Sequence, residues 1–113
     1  MKVWLDDDER EAPEGWIWEK DPSAVVDMIA SGKVAEISLD CDLGAGITGY
    51  IVLAWLERMV GRDFIGKVPK IQIHTANPIG RKRMEQAVKS IRKLDEANKI
   101  NRSHKLDFWK REG

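Results

Sequence analysis

The 113-residue chain has one cysteine, Cys41. An internal disulfide is thereby excluded, as is a thiolate zinc cluster built within one chain. No apolar run approaches the ~20 residues of a membrane span. No N-terminal stretch has the charged start and apolar middle of a signal peptide, so a cytoplasmic protein with no membrane partner is expected. Net charge is missing too: 19 Lys and Arg balance 19 Asp and Glu, which leaves no global field to steer the molecule toward nucleic acid or membrane. Internal repeats and low-complexity segments are absent. The glycines at 44, 46 and 49 match neither familiar phosphate-loop spacing and read as a flexible loop.

What is present is an ordinary globular balance of 42% hydrophobic and 34% charged residues, with five tryptophans that favour packing. This length predicts one domain with a real core and a single site. The zero net charge hides an asymmetry. Residues 1–80 hold 8 Lys/Arg against 14 Asp/Glu, or −6, and residues 81–113 hold 11 against 5, or +6. Two such halves can contact each other as parts of one surface, or serve a metal and a phosphate-bearing ligand respectively.

Along the chain, "KVWL" at 2–5 reads as a short buried strand that runs into Asp6, Asp7 and Asp8. "REAPEG" is a loop, and "WIWEK" at 16–20 a second strand; the segment between the two is too short for a crossover helix, so a parallel pairing would need an unusual connection. "DPSAVVDMIASGK" starts a helix at Asp21 or Ser23 and stops it at Gly32. "VAEISLD" at 34–40 is a third strand, again ending in acid. "YIVLAWLERMV" at 50–60 is a helix buried on most sides, ended by Gly61. Residues 70–75 form a fourth strand, and a long amphipathic helix runs from Gly80 to about Ile100 with a Lys/Arg-rich outer face. The tail from Asn101 is polar except for Leu106, Phe108 and Trp109, a late docking segment or partner contact. The division expected is a core over 1–95 and a basic extension of the last helix and tail over 96–113.

Strands alternating with helices predict an α/β layer fold with a mainly parallel sheet, whose ligands bind beyond the carboxyl ends of the strands. Those ends carry Asp6, Asp7 and Asp8; Asp40 and Asp42; and His74, Thr75 and Asn77. Adjacent carboxylates in a partly dehydrated pocket resist ionising together unless a cation sits between them. An acid run alone is a solvated turn; two at two strand ends, with hydroxyl and amide neighbours, are an oxygen-rich set suited to Mg²⁺ or Mn²⁺. His74 is either structural or a general acid or base, and Asn77 either a helix cap or a phosphate ligand. Arg81, Lys82 and Arg83 open the last helix against its dipole, which a nearby anion would offset.

The acidic pair after the first strand, Asp40 closing the third, "TGY" opening a helix and Thr75-Ala76 closing the fourth strand together resemble the receiver domains of two-component signalling. The resemblance implies metal binding by Asp6 and Asp7, a phosphoacceptor role for Asp40, phosphate contact by Thr75, and a metal-side position for Asp42. The chain departs from ordinary receivers: the first helix is replaced by a loop, and no clear fifth strand carries the phosphate-clamping lysine.

"VWLDDDEREAPEGW", "EISLDCDLG", "TGY" and "IQIHTAN" are closer to a small variant, the cyclic-phosphate processing receiver-like domain, over residues 2 to about 94. Cys41 stands where that family commonly has histidine, and the acidic turn is one residue longer. The resemblance implies a small receiver-like (flavodoxin-like) three-layer fold with the fifth strand missing or degenerate. It also implies processing of a cyclic phosphate on an RNA end or nucleotide. Asp6, Asp7, Asp40 and Asp42 would hold Mg²⁺ or Mn²⁺, His74 and Asp40 would be catalytic, and Thr75, Asn77 and Arg81 would hold the phosphate. Asp40 could instead be a nucleophile. The alternative is a phosphoacceptor or metal- and phosphate-binding regulator without hydrolysis, which switches a protein partner or a second copy through the last helix and tail.

Overall fold

The computed structural model describes residues 1–42 and 49–112, with side chains up to 104. Within it, β1 (Lys2–Leu5), β2 (Ile17–Glu19), β3 (Glu36–Leu39) and β4 (Lys70–Ile73) form one parallel sheet in the order β2-β1-β3-β4. Helices α1 (Pro22–Ala30) and α2 (Tyr50–Gly61) join β2 to β3 and β3 to β4, and α3 (Pro78–Glu112) follows β4. β1 and β2 are parallel although no α-helix joins them; the connection is a loop with one 3-10 turn at Glu9–Glu11.

Local chemistry sets the helix ends. Asp21 accepts the Ser23 amide at 2.9 Å with Pro22 in the first turn, and Gly32 follows α1 at φ +79°, where a Cβ would be strained. Asn77 caps α3 by accepting the amides of Ile79 and Gly80, both at 3.1 Å. α3 begins two residues earlier than its hydrophobic spacing predicts and continues to Glu112. The polar stretch after Ile100 has no apolar stripe to announce a helix, but nothing in it, proline or glycine, breaks one before Gly113. The side chains of Leu106, Phe108 and Trp109 lie outside the described residues, as does the loop of Gly44 and Gly46.

Period-two alternation sorts the sheet into two faces. Val3, Leu5, Ile37, Leu39 and Ile71 point one way. They meet Val25 and Ile29 of α1, Val52, Leu53, Leu56 and Val60 of α2, and Met84, Val88 and Ile91 of α3 in a single core. Lys2, Trp4, Trp18, Glu36, Ser38, Lys70 and Gln72 share the other face, as the registers Trp4↔Trp18, Trp4↔Ser38 and Ser38↔Gln72 require. Among the described residues no helix covers that second face. The α/β receiver-like class therefore holds with two layers in place of the expected three, because no helix joins β1 to β2 and α3 runs on without returning to the sheet.

Leu56 lies at the centre of the core with none of its surface exposed. Leu56→Ala is expected to cost about 2–5 kcal/mol, read from the denaturant midpoint at unchanged slope.

Candidate active site at the strand ends

The register that aligns Lys2, Glu36 and Lys70 also places Asp6, Asp40 and His74 side by side, each four residues further on. The backbone ladder continues to that row: the amide of Asp6 donates to Glu19, that of Asp40 to Leu5 and that of His74 to Leu39, at 3.0–3.1 Å. Three chemically active side chains are thus fixed by sheet geometry rather than by loops.

Asp6 is 5% exposed. Its Oδ1 accepts the Asp8 amide at 2.9 Å, and its Oδ2 lies 3.0 Å from His74 Nε2. The other imidazole nitrogen, Nδ1, is 2.7 Å from the hydroxyl of Ser38, and the ring stacks on Trp4 at 3.7 Å between centroids and 9° between planes. Trp16 meets Trp4 edge-on at 5.5 Å, and Trp18 donates its indole N–H to the Asp6 carbonyl at 2.9 Å. Two of the tryptophans that looked like core packing are therefore the seat of the acid and the imidazole. Ser38 and Trp4 escaped the sequence reading. The available signal was their position, two residues before Asp40 and Asp6 on the same face.

The three neighbouring acids are not equivalent. Asp8 is already paired: its carboxylate takes Arg10 at 3.0 Å through both Nε and the guanidinium end, which holds its pKa below the usual range. Asp7 is exposed, and the Asp6 carboxyl beside it, aided by burial and by the charges of Asp6 and Asp40, pushes its pKa up. A raised carboxyl pKa contributes stability that is complete below the unfolded value and is lost as pH rises through the folded one. Asp7→Asn is therefore expected to raise the melting temperature of the cation-free protein at neutral pH and to flatten its decline from acidic to neutral pH. A calorimetric pH series that is unchanged by the substitution would contradict this.

Asp6, Asp7, Asp8, Glu11, Asp40, Asp42, His74, Thr75 and Asn77 line one open cavity of about 590 Å³. Asp6, Asp40 and His74 each offer a ligating atom, all within 4.8 Å of one another. The set is mainly carboxylate oxygen, as Mg²⁺ and Mn²⁺ require, and the mutual repulsion felt at Asp7 is what a divalent cation would relieve. Asp42 is exposed at the rim.

The phosphate-side residues divide. Thr75 is buried at 8% exposure, and its hydroxyl accepts the Asn77 amide at 3.2 Å. Asn77 lines the cavity but commits its amide oxygen to the α3 cap. Arg81 lies outside the cavity lining: its guanidinium donates to the Thr75 carbonyl at 3.2 Å and pairs with Glu85 at 3.6 Å. Arg83 lies 4.4 Å over the Tyr50 ring.

Two glycines press on the Asp40 segment. A Cβ on Gly49 would fall 2.0 Å from the Asp40 carbonyl oxygen, and one on Gly80 would fall 2.2 Å from Cys41 Sγ. Burial and the charges of Asp42 and Asp40 push the Cys41 thiol up, away from the thiolate form.

Residues 1–90 match the family model described as the cyclic-phosphate processing receiver domain. The chain belongs to that family. No curated protein and no solved structure matches the chain. The receiver domain so identified spans all four strands, and the match ends within α3, whose later turns lie beyond it.

Proposed function

We propose that this receiver domain is a metal-dependent phosphoesterase that opens a cyclic phosphate, on an RNA end or a nucleotide, at the strand-end cavity. The observation that carries the reading is the convergence of Asp6, Asp40 and His74 in one row. Asp6, Asp7 and Asp40 are the residues that would hold Mg²⁺ or Mn²⁺, with Asp42 at the rim. When bound, the cation supplies positive charge against the phosphate oxygens.

The chain's own groups supply the rest. In the opening of a cyclic diester, water adds to phosphorus, the bond from phosphorus to one ribose oxygen breaks, and that oxygen must gain a proton. Water sheds a proton as it adds; in this reading His74 Nε2 takes that proton and returns it to the leaving oxygen. Ser38 at Nδ1 and Trp4 beneath the ring fix the imidazole's orientation, so that Nε2 faces the acids. Thr75 stands at the end of β4, where its hydroxyl can meet a phosphate oxygen after exchanging its bond to Asn77. Asp40 is assigned to cation binding; an attack by its carboxylate would give an aspartyl phosphate instead.

A panel of 2′,3′-cyclic nucleotides and cyclic dinucleotides, each with and without Mg²⁺ or Mn²⁺, tests the assignment. Cation-dependent conversion to a monoester supports it. Labelling by a small phosphoryl donor, abolished by Asp40→Asn and without turnover of any cyclic phosphate, would replace it with the phosphoacceptor reading.

A further inference from the structure

The edge of the sheet at β4 carries a second feature, separate from the acidic cavity. β4 pairs with β3 alone among the described residues. The amides of Lys70 and His74 point to β3, bonding Ala35 and Leu39 at 3.0 Å. Backbone groups alternate sides along a strand, so the N–H and C=O of Ile71 and Ile73 face outward. An open edge of this kind is a template for another strand.

α3 overhangs that edge. Between them lies a groove of about 270 Å³, floored by Ile71, Ile73 and Val88 and walled by Arg81, Lys89 and Arg92, with Glu85 its one acid among the described residues. Glu85 is paired with Arg81. Lys89 and Arg92 make no ion pair among the described residues. The space is that of a missing fifth strand. The chain does not refill it within the described residues, because α3 continues without a turn to Glu112.

We propose that this edge takes an extended peptide segment of a partner protein, bearing acidic side chains, as the fifth strand of the sheet. Main-chain bonds to Ile71 and Ile73 supply affinity, apolar side chains fill the floor, and carboxylates meet Lys89 and Arg92. A second copy of the chain is the weaker occupant, since a two-fold pairing of β4 edges would bring the same cations face to face. A nucleic acid is weaker too, since it has no use for the outward amides and meets Glu85. The proposal stands apart from the phosphoesterase reading: neither Lys89 nor Arg92 lines the acidic cavity.

The test uses ¹⁵N-labelled full-length protein and peptides of about ten residues. They alternate valine and threonine and carry glutamates; the controls have lysine for glutamate, or N-methyl groups on alternate residues. Amide exchange at Ile71 and Ile73 is expected to be fast in the free protein and slowed about tenfold or more by the glutamate peptide alone. Lys89→Glu with Arg92→Glu, both at exposed helix positions, is expected to reverse the preference to the lysine peptide. Exchange unaffected by any peptide would overturn the proposal. So would protection that grows with protein concentration, which assigns the edge to a second copy, or tight binding of an RNA oligomer that the double substitution abolishes while both amides stay unprotected.

Discussion

Gly49→Ala is expected to destabilise the protein by about 1–3 kcal/mol, at the upper end of that range, and to abolish function at the strand-end cavity. The added methyl would stand 2.0 Å from the Asp40 carbonyl oxygen and 3.1 Å from its carbon. Those are backbone atoms, so no rotamer change relieves the clash. Either α2 withdraws, which opens the core around Val52 and Leu53, or Asp40 leaves its row with Asp6 and His74. Gly61 supplies the control. It ends α2 on the surface, and a Cβ there meets nothing nearer than Leu94 at 3.8 Å. Gly61→Ala should stabilise by up to about 1 kcal/mol through reduced chain entropy. Equal melting temperatures for Gly49→Ala and the parent protein would show that the close approach is not a constraint.

The second large effect separates the acid from the imidazole. Asp40→Asn is expected to remove the cation-induced rise in melting temperature and all turnover together. His74→Ala is expected to lower kcat by about 10²–10⁴ while cation binding weakens by no more than about 10–100-fold, the range for losing a residue that orients a ligand. The asymmetry follows from the proposed roles: His74 Nε2 lies 3.0 Å from Asp6 and serves the proton, while Asp6 keeps its bond to the Asp8 amide when the imidazole is gone. Titration calorimetry with Mn²⁺ beside single-turnover kinetics reads both quantities. Loss of cation binding in His74→Ala as complete as in Asp40→Asn would make His74 a ligand.

The acids were legible because parallel strands advertise their ends. "KVWL", "EISL" and "KIQI" each run four residues and deliver Asp6, Asp40 and His74 at the same step, so a reader with only the alternation and the ligand rule for open α/β sheets arrives at the edge where these three side chains converge. Asp7 is preferred to Asp8 from sequence for its place nearer the strand; that Arg10 folds back two residues onto Asp8 is visible only in the structure. Ser38 was hidden for a related reason: a serine between Ile37 and Leu39 looks like ordinary strand alternation, and its value lies in a partner 36 residues away. Asn77 was open between cap and ligand, and α3 recruits its oxygen as a cap. The layer count went astray at the first connection. The sequence reading already saw that the loop from Asp6 to Trp16 holds no helix, and the unclad second face of the sheet is the consequence.

The uncovered face also explains why tryptophan lines the site. All-parallel sheets are ordinarily covered on both sides. Here Trp4, Trp16 and Trp18 supply apolar cover that a helix would otherwise give, and the same rings hold His74 and the Asp6 backbone in place.

The proposed hydrolysis of a cyclic phosphate depends on both the cation and His74. Phosphorus NMR of a 2′,3′-cyclic nucleotide, and of a short RNA ending in the same group, follows the bond directly. With the parent protein and Mg²⁺ or Mn²⁺, the cyclic diester resonance is expected to give way to a monoester resonance, and to persist when a chelator is added or when His74→Ala replaces the parent. A diester resonance unchanged by the folded, cation-saturated parent protein on both substrates would contradict the account.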